Sequence, residues 1–329
     1  MKNEVLTVAE AAERIRAGHV MAVAGAAELL AQLPAGKWVG GTSVYFVTDQ
    51  GGMMERTKLF CTTFPQALGA TTRHLGTGEL GRIAQGYRPN GFTLIMIPAF
   101  SDSHTEFAMK GQNYPGLFDQ PLLGWITGVQ LEEIGNRDPM VFDGGLARGY
   151  NEGAALLHVE LAPGSRVDLD ILNIFAQSDA PETSFVFETD GFTARTAVVA
   201  GKRVNLARYF AKKGLDTKLP LVANYAGALV NVAIQSVDPE AGEVRFYAPV
   251  QAGIEYRMAR ALGNYVQAFA EGAGESGAGQ YSYNCILNYL YGNLEGQRTG
   301  QFVGPVTFGE IAYILLNQTL VRLDIANAA

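Results

Sequence analysis

Apolar positions in this chain come in short runs, and most of the runs have the length of strands. Val20 to Ala24, Thr57 to Phe64, Phe92 to Pro98 and Ala154 to Leu161 are largely apolar and are bounded by Gly, Pro or polar residues. Runs of this kind predict strands buried on both faces, with Phe92 to Pro98 central. Lys37 to Val47 predicts a strand interrupted at Gly40-Gly41-Thr42-Ser43, and Met140 to Ala147 one that ends in the pair Gly144-Gly145. Strands are also predicted at Ile171 to Ala176 and Ser184 to Glu188. Asp190-Gly191 reads as a hairpin turn whose returning strand is Thr193 to Ala200. Leu229 to Val237 and Glu243 to Val250 form a second hairpin across Asp238-Pro-Glu-Ala-Gly242.

Helical periodicity is rarer. Thr7-Val-Ala-Glu10 is a capping box for a helix with Val8, Ala11, Ala12 and Ile15 on one face and Gly18 as its stop. Further helices are predicted from Ala27 to Leu33, through Lys110 from a Ser or Asp cap in Ser101-Asp-Ser-His104, over Asn205 to Lys213, over Glu255 to Phe269, and over Tyr283 to Tyr291. Strand hairpins alternating with separated helices predict an α+β fold: two or more largely antiparallel or mixed sheets flanked by helices, in a pseudo-duplicated arrangement of two halves. The Gly-rich stretch Glu271 to Gly279 reads as a mobile loop.

Composition narrows the function classes. The 329 residues are 48% hydrophobic with mean hydropathy +0.06, enough for a sizeable core. The formal charge of −7 repels phosphate backbones, so nucleic acid is not expected as a partner. Two cysteines, Cys61 and Cys285, build no disulfide framework. No apolar run approaches the roughly 18 residues of a membrane span, and Met1-Lys-Asn-Glu-Val lacks a signal-peptide pattern. The expectation is a cytoplasmic protein.

Familiar catalytic signatures are absent: no Gly-x-Gly-x-x-Gly follows a predicted strand, no phosphate loop or nucleophile elbow occurs, and the four histidines have no zinc spacing. Three polar or Gly-rich segments at strand ends, at 40–43, 101–104 and 143–145, could line one concavity with backbone amides. Glu310, an acid in an apolar run, is either a helix-start residue or part of that site. Cys285 is a small buried residue or a nucleophile activated by a helix N-terminus, with Glu310 or His104 as its base. His158, alone in an apolar strand, reads as a satisfied structural residue.

Thr307-Phe-Gly-Glu-Ile311 followed by Leu316-Asn-Gln-Thr-Leu-Val321 resembles the closing signature of FIST domains. Ser282-Tyr-Asn-Cys285, Asp238 to Val244, Val250 to Gly253, Val39 to Ser43, Phe142 to Ala147 and Gly201-Lys-Arg-Val with Tyr209 are similar to other segments of that family, in the same order, although an Arg expected soon after Cys285 is missing. The resemblance implies an N-terminal helix at 1–19, a FIST N-terminal-like half at 20–205 and a C-terminal-like half at 206–326. It implies a sensory protein without its own output domain, binding a small ligand such as an amino acid and signalling through a separate protein. The ligand-binding set would comprise Gly41, Thr42, Ser43, Ser101, His104, Gly144, Gly145, Cys285 and Glu310. No cofactor is predicted. Some FIST members bind haem as nitric oxide sensors, for which His104 is the candidate ligand here.

Overall fold

The pairing of the strands repeats three times along the chain in the computed structural model, which describes residues 1–225, 227–273 and 280–326. Residues 2–63 supply strand Lys2–Leu6, helix Val8–Arg16, strand Met21–Gly25, helix Ala27–Leu30, strand Trp38–Thr42, the hairpin Tyr45–Thr48/Gly51–Met54 and the return strand Leu59–Thr63. Residues 67–161 repeat that order with Ala67–Leu75, the 3-10 helix Leu80–Gly86, Gly91–Pro98, Asp102–Lys110, Leu122–Thr127, the hairpin Val141–Asp143/Arg148–Tyr150 and Ala154–Leu161. The third repeat opens with Arg166–Leu172. It resumes with Tyr281–Cys285, Ile286–Tyr291, Gly304–Thr307, the hairpin Glu310–Ala312/Ile314–Leu316 and Leu320–Ala326.

In every repeat the opening strand pairs antiparallel with the return strand. The return strand pairs antiparallel with the second strand, and the second pairs parallel with the third. The hairpin then leaves its own sheet. That of the first repeat extends the sheet of the third, that of the second extends the first, and that of the third extends the second. Three six-stranded sheets are thus closed into a ring by exchanged hairpins, which cover one edge of each sheet's βαβ unit.

The period-2 alternation of strands explains the burial on both faces. In Gly91–Pro98, Phe92, Leu94 and Met96 join a core drawn from all three repeats, with Phe46, Phe60, Trp125, Tyr283 and Leu323. Ile95 and Ile97 face the other way, into a core shared with Phe107 of the helix Asp102–Lys110. The capping box forms as read: Thr7 Oγ1 accepts from the Glu10 amide at 3.3 Å, and the Thr7 amide donates to Glu10 Oε2 at 2.8 Å. Ser101 caps the helix that runs to Lys110. The chain is α+β with mixed and antiparallel sheets flanked by helices, in agreement with the hydrophobic pattern, but it is built from three repeats and not from the two halves expected.

Residues 173–280 are inserted in the third repeat and carry a further six-stranded sheet, a three-stranded sheet and the helices Leu206–Lys213 and Tyr265–Ala273. Several local expectations differ here. Asp190-Gly191 does not turn a simple hairpin: Ser184–Val186 meets the returning segment antiparallel at Val186 and Val198 and pairs on its other edge with Glu255–Met258, while Gly191–Ala194 pairs with Glu243–Val250. Glu255 begins a strand held between Ser184–Val186 and Leu221–Tyr225, so the predicted helix starts only at Tyr265. Tyr281–Cys285 is likewise a strand, because pairing on both edges overrides its helical spacing, and the helix starts at Ile286. Glu310 starts a hairpin strand, not a helix. Part of the Gly-rich stretch read as a mobile loop, residues 274–279, lies outside the described residues.

Tyr283 pins the ring. Its hydroxyl accepts from the Gly124 amide of the second repeat at 2.8 Å and donates to the Ile311 carbonyl of the exchanged hairpin at 2.8 Å. Tyr283→Phe leaves both backbone groups unpaired in a dry core and is expected to cost about 1–3 kcal/mol of stability in urea unfolding. A variant as stable as the wild type would show that the bridge contributes nothing.

Candidate functional site

The parallel second and third strands of each repeat end at a common region. Backbone contacts tie the ends together: the Gly128 amide donates to the Thr42 carbonyl at 2.9 Å, the Phe308 amide to the Ile126 carbonyl at 3.0 Å, and Ser43 Oγ to the Val306 carbonyl at 2.6 Å. Each third strand closes on a buried threonine, Thr42, Thr127 or Thr307. Crevices outside the carboxyl ends of parallel strands are where open α/β sheets bind ligands.

Here the strand ends border a pocket of about 160 Å³. Ala99, Phe100 and His104 come from the turn and helix after Gly91–Pro98, and Leu131 and Ile134 from the segment after Leu122–Thr127. Ile286, Leu287, Leu290 and Phe308 come from the third repeat, and Gln235 and Tyr247 from the insertion. A wider, more polar cleft beside it shares Ala99, Phe100, Ile134 and Gln235 and adds Arg137, Asp138 and Glu152. Phe100 lines both. Its φ of 65° is an uncommon value for a bulky residue, held where strand turns into helix, and its ring meets Phe308 edge-on at 6.2 Å.

His104 is the titratable group of the inner wall closest in type to a ligand-binding residue. Its Nε2 is buried without a hydrogen-bond partner, and burial lowers its pKa to about 4, so the imidazole is neutral at pH 7. The outer cleft balances its own charges. Arg137 pairs with Glu28 and Glu133, and Glu152 accepts the Asp102 and Ser103 amides at the helix N-terminus at 2.9 and 3.3 Å.

Glu310 and Cys285 meet, beneath this pocket. Glu310 is fully buried: Oε2 accepts from the Thr319 amide at 3.1 Å and Thr319 Oγ1 at 2.9 Å, and Oε1 from Thr307 Oγ1 at 3.3 Å, with the Cys285 thiol a further hydrogen-bond partner. Among the described residues no cation balances it, and burial raises its pKa to about 8 against those hydrogen bonds. Cys285 occupies a sharp strand-to-helix corner, where the Leu287 and Gln318 amides point at its sulfur. Burial and the nearby Glu310 nevertheless push the thiol pKa well above its usual value. A buried protonated thiol is a poor nucleophile. Cys61 is core, its pKa pushed up by burial to about 12.

The structure therefore brings together some of the residues singled out by sequence. Thr42 and Ser43 lie at the convergent strand ends, Ser101 in the outer cleft and His104 in the inner pocket. Gly41 sits one residue back, against Thr127 and Trp125. Gly144 and Gly145 lie at the opposite end of their strand pair: Gly144 packs on Trp38, the first residue of Trp38–Thr42, and the Gly145 amide bonds Thr72 Oγ1. His158 is buried and only partly satisfied: its Nδ1 lies 2.8 Å from Thr93 Oγ1, while its Nε2 has no hydrogen-bond partner among the described residues. Sequence reasoning missed Phe100, Leu290, Gln235 and Tyr247. The placement of Phe100 just after the central strand was a usable signal; Gln235 and Tyr247 sit in ordinary strand contexts and offered none.

Among the described residues, no group of three or more His, Cys, Asp or Glu could hold a metal ion, and no helix is long and apolar enough to cross a membrane.

These features define a class: a ring of three βαβ-containing repeats, with an inserted domain, that encloses a pocket at the carboxyl ends of its parallel strands. The chain belongs to a family of unknown function, DUF6976, which matches residues 6–326. No curated protein matches it.

Proposed function

We propose that the protein is a small-ligand-binding sensory protein of the cytoplasm, with the inner pocket as its binding site and a separate chain receiving the signal. The observation that carries this reading is the pocket itself. Two repeats and the insertion each contribute to its wall, so an occupant would touch elements far apart in sequence and bias how they pack. The ordered FIST-like motifs support the sensory part of the reading, and the two free cysteines suit a reducing compartment. The pocket wall offers no charged side chain to the ammonium and carboxylate of an amino acid, which favours another kind of small molecule.

A thermal-shift screen of metabolites tests it. A ligand at 100 times its Kd is expected to add about 2.7 kcal/mol of apparent stability. Leu290→Trp, a change at a partly exposed position on the pocket wall, is expected to abolish the shift without unfolding the protein. Shifts that survive Leu290→Trp would place binding elsewhere.

A further inference from the structure

We propose, resting on the inner pocket as the binding site, that the ligand is amphipathic. An apolar group of about six carbons sits in the inner pocket, joined to an uncharged head with several hydroxyl groups that lies in the outer cleft. The pocket mouth carries the first part. Exposed large apolar side chains are normally scattered singly, but Phe100, Ile134 and Leu290, 56%, 44% and 38% exposed, stand together in the wall of this pocket. With the buried Ala99, Ile286 and Leu287 they make an apolar surface that runs inward from solvent. The volume of about 160 Å³ is close to that of an engineered cavity of about 150 Å³ that holds benzene.

The outer cleft carries the second part. It measures about 530 Å³ and adjoins the inner pocket along Ala99, Phe100, Ile134 and Gln235. Phe100 and Ile134 are exposed at that boundary, so a ligand crosses it without displacing buried structure. The charges of the cleft are already engaged. Arg137 pairs with Glu28 and Glu133, and Asp138 accepts from Asn151 Nδ2 at 3.2 Å. Glu152 accepts the Asp102 and Ser103 amides and the Thr77 hydroxyl. A carboxylate head would meet two carboxylates and a guanidinium that is already paired, and an ammonium head would have to compete with the bonds those carboxylates make. Hydroxyl groups need no counter-ion: they can donate to the remaining lone pairs of Asp138 and accept from the amides of Asn151 and Gln235, all three exposed side chains of the cleft.

The test is calorimetric titration of the full-length protein at pH 7 with hexyl β-glucoside, hexanol, glucose, hexanoate and hexylammonium. The glucoside is expected to bind about tenfold or more tightly than hexanol, glucose or either ion, the effect of a few added hydrogen bonds. Asp138→Ala combined with Asn151→Ala, both at exposed positions, should bring the glucoside down to the affinity of hexanol and leave hexanol unchanged. Leu290→Trp should weaken the glucoside and hexanol alike. Hexanoate or hexylammonium binding as tightly as the glucoside overturns the proposal. So does a glucoside that binds no better than hexanol, or a glucoside preference that the double variant leaves intact. Failure of the ligand class is separable from failure of the site. If metabolite shifts vanish in Leu290→Trp while the glucoside preference is missing, the class is wrong and the pocket stands. If no shift depends on Leu290, the pocket reading itself falls.

Discussion

Glu310→Gln is expected to remove a fall in stability of about 4 kcal/mol that the wild type undergoes between pH 5 and pH 9. The folded protein holds the carboxyl pKa near 8, whereas the unfolded chain ionises near the ordinary 4.5. Between those values the native state keeps a proton that the unfolded state has released. This contribution is therefore fully present below pH 4.5, declines as pH rises, and is gone above pH 8. The amide keeps the contacts: its oxygen can accept from the Thr319 amide and hydroxyl, and its NH₂ group can face Thr307 Oγ1 and the Cys285 sulfur. His104 and His158, with pKa values lowered to about 4, act in the opposite sense between pH 4 and 6.5. The quantity to follow by urea unfolding is hence the difference between wild type and variant. A difference that stays constant with pH would mean that Glu310 ionises at its ordinary value.

Gly124→Ala is expected to cost more than about 3 kcal/mol, or to prevent folding. A Cβ built on Gly124 falls 1.7 Å from the Ile95 carbonyl oxygen in the adjacent parallel strand, and backbone on both sides leaves it no room to move. Gly304 shows the same close approach, 1.7 Å to the Ser282 carbonyl, and each glycine stands three residues before the buried threonine that ends its strand. The shared position reflects the repeat: second and third strands come this close in two of the three copies, and Val39 takes the place in the first. Gly263→Ala, with open space at its Cβ, is the control and should lie within about 0.5 kcal/mol of wild type. Equal stability of the two variants would contradict the packing described.

The strands and their burial were legible in the sequence because a strand buried on both faces leaves a local record, as Phe92 to Pro98 and Ala154 to Leu161 do. Helix caps at Thr7, Ser101 and Asn205 were legible for the same reason, since a cap is decided within four residues. The threefold repetition was not. Its units are some 50 to 100 residues long, share little beyond a glycine here and a terminal threonine there, and the third is interrupted by 173–280. The exchange of hairpins is recorded only in pairings between distant segments, such as Glu310 with Trp125 and Phe142 with Gly40.

The site was legible in part. The polar ends of apolar strands pointed to Thr42, Ser43, Ser101 and His104, because a strand end that opens on a cleft breaks its apolar pattern. The same signal misled at Gly144-Gly145, which mark the far end of an antiparallel partner. Glu310 stood out as an acid among apolar residues. What it does there, holding Thr307, Thr319 and Cys285 beneath the pocket floor, depended on contacts across strands that no spacing encodes.

The most direct measurement is a crystal structure of the protein with a ligand taken from the thermal-shift screen. Density enclosed by Ala99, His104, Tyr247, Leu287 and Phe308 is the expected result. Ligand density confined to another crevice, such as that between Phe107, Tyr256 and Leu315, with the inner pocket unchanged, would contradict it.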